Sequence, residues 1–227
     1  MGTITRTFAN NITTSGVFKP TAFNNASFDN VTAVPEGAVE GGNMVLLSTQ
    51  TASASTSISF TTGIDSTYKE YMFVFNNIHP STDDARFEFN MSTDGGSNYN
   101  VTKTTTWFQS YHLENDASSG LNYEGGPDLA QSTAYQPLTR EGSVGITNES
   151  DGSLSGTLSL FNPSSTTYVK HFISNNVYPY KDVISQIYCF ETFVAGYGNT
   201  TSAVNAIDFQ INTGTFDGTI QMFGVVS

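Results

Sequence analysis

Four carboxylates stand beside aromatic residues in one polar segment: Glu114, Asp116, Glu124 and Asp128. Two carboxylates facing each other across a cleft are what glycoside hydrolysis requires. The spacing of these four along the chain does not by itself make such a pair. His79, His112 and His171 are scattered and form neither His-x-His nor His-Glu-x-x-His. A triad or metal site among them would have to be assembled by the fold. Cys189 is the single cysteine, so there is no disulfide framework and no cysteine cluster for a metal. Within QIYCFETF it is expected to be a small buried strand residue rather than a nucleophile. Asp83-Asp84, Asp94, Asp116, and Glu149 with Asp151 lack the alternating spacing of a calcium loop and are read as solubilising turn charge. The chain has no G-x-S-x-G elbow, no phosphate-binding loop and no dinucleotide fingerprint. No catalytic residue, no metal ligand and no cofactor is assigned.

The elements that would position these residues are strands. MVLLS (44–48), TSISFTT (56–62), YMFVFNNI (71–78), RFEFNM (86–91) and TTTWFQSYHL (104–113) lie in the first half. LSGTLSLF (154–161), YVKHFIS (168–174), IYCFETFVAGY (187–197), AIDFQIN (206–212) and TIQMFGVV (219–226) follow. Each is bounded by Gly, Pro, Asn, Asp or Ser. In RFEFNM, Phe87 and Phe89 fall on one side and Arg86, Glu88 and Asn90 on the other. Asp94-Gly95 signals a hairpin, and His79 before Pro80 reads as a turn. Apolar residues nowhere recur at helical spacing over a long window. About ten short strands with turn signals between them indicate an all-β fold, an antiparallel β-sandwich of jelly-roll-like type. The polar stretch Asn115–Gly152 reads as one or two long excursions from it. Binding residues concentrate in such loops, and Glu114, Asp116, Tyr123, Asp128 and Tyr135 are the candidates to face a ligand.

Composition narrows the class. Hydrophobic residues make up 37% of the 227 residues and charged residues only 12%, about half the usual share of charge. The surface is therefore polar but mostly uncharged. Twenty acidic against eight basic residues give a net charge of −12, which repels phosphate backbones and anionic membranes. Neither nucleic-acid binding nor membrane insertion is expected. No stretch reaches the roughly 18 apolar residues of a span. MGTITR has no apolar h-region, so a secretory signal is not expected.

Residues 1–43 differ from the rest. Phe8, Phe18, Phe23 and Phe28, with Ile12 and Val31, are separated by Asn, Thr and Ser and are too dispersed to form a core among themselves. They read as an extended attachment arm ending in the linker AVPEGAVEGGN, with the sandwich domain over 44–227. Such an arm holds a partner by main-chain hydrogen bonds and a few aromatic anchors, as in strand addition.

LLSTQTASASTSISFTTGIDSTYKEYMFVFNNIHPSTD, FNMSTDGGSNYNVTKTTTWFQSYH, DLAQSTAYQPL, LSLFNPSSTTYVKHFISN, AGYGNTTSAVNAIDFQINTG and GTIQMFGVV together resemble virion structural or fibre-like proteins of tailed phages of marine bacteria, the cyanophages and their relatives. The resemblance covers most of the chain from Met44 onward and carries over no functional residues. It implies a component of the virion exterior, assembled in the host cytoplasm. The expected partners are further copies of the chain, as a homotrimer, and a tail or capsid protein. A host surface glycan or protein is a further candidate. A short tail-fibre or appendage protein is the first reading and a head decoration protein that clamps capsid subunits the second. A glycan depolymerase using Glu114, Asp116, Glu124 or Asp128, and a carbohydrate-binding module stacking Trp107 and Tyr111 on sugars, are the competitors. Trp107 itself reads better as a core residue of its strand.

Overall fold

The structure, a computed structural model, describes residues 44–140, 145–182 and 184–226. The arm expected over residues 1–43, with its anchors Phe8, Ile12, Phe18, Phe23, Phe28 and Val31, lies outside the described residues. Twelve strands occupy the rest: β1 (Met44–Ser55), β2 (Ser57–Phe60), β3 (Glu70–Pro80), β4 (Phe87–Ser92), β5 (Lys103–Leu113), β6 (Ser119–Tyr123), β7 (Gln136–Pro137), β8 (Leu154–Phe161), β9 (Lys170–Lys181), β10 (Ile187–Gly198), β11 (Ala206–Ile211) and β12 (Phe216–Val225). They form an antiparallel sandwich. The large sheet runs β1-β12-β3-β8-β9-β10-β5-β6 and the small one β2-β11-β4-β7.

Period-two alternation decides which face each strand buries. Tyr71, Phe73 and Phe75 on β3 point inward, as do Phe87, Phe89 and Met91 on β4 and Ile207, Phe209 and Ile211 on β11. Phe209 sits at the centre. Its ring lies 5.3 Å from that of Phe73, 5.1 Å from Phe75 and 6.0 Å from Phe87. Burying each such ring stabilises the fold by about 1.5–3 kcal/mol.

Four short strands cannot cover eight. The remaining inner face, over β5, β9 and β10, is closed by residues 124–140 together with 145–147, which corrects the reading of these residues as an excursion. Leu138 and Ile146 among them are fully buried. Their main chain is irregular, so their carbonyls need donors. The large sheet supplies them from inward-pointing polar side chains. Thr192 Oγ1 donates to Leu138 O at 2.7 Å, Trp107 Nε1 to Pro137 O at 3.2 Å, and Asn176 Nδ2 to Leu138 O at 3.5 Å. Thr105 Oγ1 donates to Gln136 Oε1 at 2.7 Å. Gly156 on β8 lies opposite Asn176, and a Cβ there would come within 2.5 Å of Asn176 Oδ1. The glycine leaves room for that buried amide.

Three further expectations change. Gly95 and Gly96 adopt positive φ, 73° and 88°, so the Asp94-Gly95 turn exists. It leads from β4 in the small sheet to β5 in the large one, however, and joins layers instead of forming a hairpin. His79 belongs to β3 and is bonded through Nδ1 to Gly152 O. Cys189 is exposed, because its neighbour Phe190 takes the inward position and alternation turns Cys189 out.

Candidate functional site

The loop residues singled out by sequence do not converge. Glu114 and Asp116 lie in the turn between β5 and β6, where His112 Nε2 and Asp116 Oδ1 pair at 3.1 Å. Tyr123 ends β6 and its hydroxyl donates to Asp128. Glu124 accepts from Gln109 Nε2 at 3.1 Å and pairs with Arg140 at 3.6 Å. Tyr135 lies on the other sheet and donates to Asp208 Oδ2 at 3.1 Å. The structure thus brings Tyr123 to Asp128 and His112 to Asp116, and it puts Tyr135 with a different set.

That set covers the outer face of the small sheet. Glu88 and Asp208 are nearly fully buried there. Each of their oxygens accepts a hydrogen bond. Arg86 Nε and Gln210 Nε2 reach Glu88 at 2.8 and 2.7 Å. Ser59 Oγ reaches Asp208 Oδ1 at 2.5 Å while Tyr135 holds Oδ2. Burial raises the Asp208 carboxyl above its usual range, and burial beside Asp208 raises the Tyr135 phenol. With every oxygen engaged, this cluster braces β2, β11 and β4 and presents no carboxylate to a substrate. Among the described residues, no group of three or more His, Cys, Asp or Glu is placed to hold a metal ion.

Trp107 is fully buried and Tyr111 packs inward against Tyr188 and Phe190. Neither ring offers a platform to a sugar in the way the carbohydrate-binding reading expects.

The open surface of the sandwich is the outer face of the large sheet. Strand register lays its residues out in rows. One row runs Tyr123, Phe108, Phe193, Asn175, Thr157, Val74 across β6, β5, β10, β9, β8 and β3. The next runs Thr106, Ala195, Ile173, Ser159, Met72 and on through Phe223 to Leu46 at the β1 edge. On the other side come Leu121, Ser110, Glu191, Val177 and then Ser119, His112, Cys189. Phe108 and Phe193 stack with centroids 4.9 Å apart. A shallow trough of about 730 Å³ lies over Ser110, His112, Asn175, Val177, Cys189 and Glu191. A second depression of about 390 Å³ lies over Thr106, Phe161, His171, Ile173 and Tyr197.

Glu191 is organised within the trough by Ser110 Oγ and Asn175 Nδ2, each at 3.2 Å. His112 and His171 share the face but sit four rows apart, about 27 Å along the strands. They do not act on one group.

Sequence reading missed this face, although β9 carries the signal. There Ser174 and Asn176 point inward and are buried, while Ile173 and Val177 point outward and are exposed. Polar-in with apolar-out is the reverse of a solvated sheet face.

No protein-family model, curated protein or solved structure matches the chain.

Proposed function

We propose that this chain is a non-enzymatic structural protein of a phage particle's exterior, a short tail-fibre or appendage protein that residues 1–43 attach and whose sandwich projects outward. One observation carries the reading. The exposed side chains of the sandwich include a broad, nearly uncharged and partly apolar sheet face, and such a surface meets other macromolecules. A small-molecule enzyme instead converges a few charged groups in a pocket. The polar, weakly charged composition and the segments resembling phage virion proteins support the placement on a particle.

The test is quantitative mass spectrometry of gradient-purified particles of the phage that encodes the chain. The protein should be present at few copies per particle. Copies in the hundreds would move it to head decoration. Its absence from particles would overturn the reading.

A further inference from the structure

We propose that copies of this chain meet through the outer face of the large sheet, the occupant of that face being a second copy of the same chain. The inference rests on the structural role proposed above for its setting and names the surface that role uses.

Four observations carry it. First, the exposed large apolar side chains are not scattered. Among the described residues, six of the ten, namely Met44, Leu46, Leu121, Tyr123, Ile173 and Val177, stand on this one face, and patches of that kind mark interaction sites.

Second, charge permits a copy to dock. A chain with a net charge of −12 repels its own copies, so contact must form where carboxylates are few. Among the rows of this face the acids are Glu70, Glu191 and, at the far end of β12, Asp217, which accepts from Ala54 N at 2.8 Å. The two glutamates likewise accept hydrogen bonds from neighbours, Glu70 from Ser159 Oγ at 2.8 Å and Glu191 from Ser110 and Asn175.

Third, the size suffices. Eight strands about 4.8 Å apart make a face about 34 Å wide, and Cys189 to Tyr197 along β10 adds about 27 Å of length. The outline is about 900 Å², against about 800 Å² per partner in a stable complex.

Fourth, the two edges of the face are guarded only by shape, β1 by its irregularities at Leu46/Ser48 and Ala52/Ser55 and β6 by its five-residue length. β1 and β6 are the edge strands. MVLLSTQTASAS and SGLNY contain no Lys and no Pro, the residues that normally keep exposed edges from pairing. Neither edge carries a charge or proline that would oppose a copy seated across the face.

Cys189 reports on the contact from inside the face. The experiment uses the purified full chain and compares it with the double variant Ile173→Glu, Val177→Glu. Both sites are exposed, so the fold should persist, and circular dichroism checks this. The wild type should sediment at a multiple of 24.5 kDa. Its Cys189 should react with a polyethylene-glycol maleimide at least about tenfold more slowly than in the double variant, because labelling follows the dissociated fraction. The double variant should sediment as a monomer.

A monomeric wild type with a freely reactive Cys189 overturns the inference. So does an oligomer whose mass and thiol protection the double variant leaves unchanged, since copies would then meet elsewhere. A protein found in particles but monomeric when purified would sink this contact and leave the virion role standing. A face-dependent oligomer absent from particles would do the reverse.

Discussion

Lys103 is buried at the start of β5, and its ammonium has no carboxylate partner among the hydrogen bonds and ion pairs described for it. Nζ donates to Asn90 Oδ1 at 2.5 Å and to Val101 O at 2.8 Å. Asn90 in turn donates to Tyr99 O and Thr133 O, so this amine ties the turn before β5 to the covering segment. Burial holds its pKa down to about 7 from the ordinary 10.5. The folded-state value is the lower one. Between about pH 7 and 10.5 the unfolded chain therefore binds a proton that the folded chain lacks, and stability rises with pH across that window. At about 1.4 kcal/mol per pH unit the full window is worth about 5 kcal/mol. The two carbonyl acceptors favour the charged amine and reduce this, so a gain of about 2–4 kcal/mol from pH 7 to pH 10 is expected. Above pH 10 the raised phenols of Tyr71 and Tyr178 act in the opposite sense. They keep their protons longer in the folded state, so stability falls there. Urea denaturation from pH 6 to pH 10.5 reads the profile. Lys103→Met should remove most of the rise while leaving the general effect of growing negative charge. A wild-type profile that is flat or falls between pH 7 and pH 10, or a Lys103→Met profile that keeps the rise, refutes the reasoning.

Phe209→Ala should cost about 4 kcal/mol, the middle of the usual range for a buried ring, whereas Phe193→Ala on the outer face should cost no more than about 1 kcal/mol in the dissociated chain; chemical denaturation compares the two. Thr192→Val leaves Leu138 O without its short hydroxyl donor and should destabilise by about 1–3 kcal/mol, with proteolysis between residues 124 and 140 increasing first. Gly156→Val drives a side chain into Asn176 and the β9 main chain and should prevent native folding, read as loss of the near-ultraviolet signal of Trp107. That tryptophan should emit in the blue, resist acrylamide and ignore soluble host glycans; a glycan-dependent shift would revive the carbohydrate-binding reading.

The sandwich was legible because aromatic and β-branched residues alternate with polar ones in ten segments between turn formers. What was not legible came from the second layer. The stretch after Asn115 has too few apolar residues to read as core, and its strands are only five and two residues long. Its residues 136–139 are buried because the large sheet turns Thr105, Asn176 and Thr192 inward to bond them. The inward-pointing polar residues on β5, β9 and β10 were visible in sequence, but their meaning depends on knowing which face is inside. The same ambiguity hid the outer face, where Ile173 and Val177 look like core residues until register assigns them outward. Cys189 was misplaced for that reason. The acids of the loop segment were readable as residues but not as a site, since the fold pairs them separately: Asp116 with His112, Asp128 with Tyr123, and Glu124 with Gln109 and Arg140.

The central claim is that this sandwich stands on the outside of a phage particle. Immunogold electron microscopy on intact particles, with antibody raised to residues 44–227, tests it most directly. Gold on the tail or its appendages is the expected result, and gold spread over the head would keep the exterior role while making the protein a capsid decoration. Intact particles without gold, from a preparation in which the antibody labels the purified protein, would contradict the account.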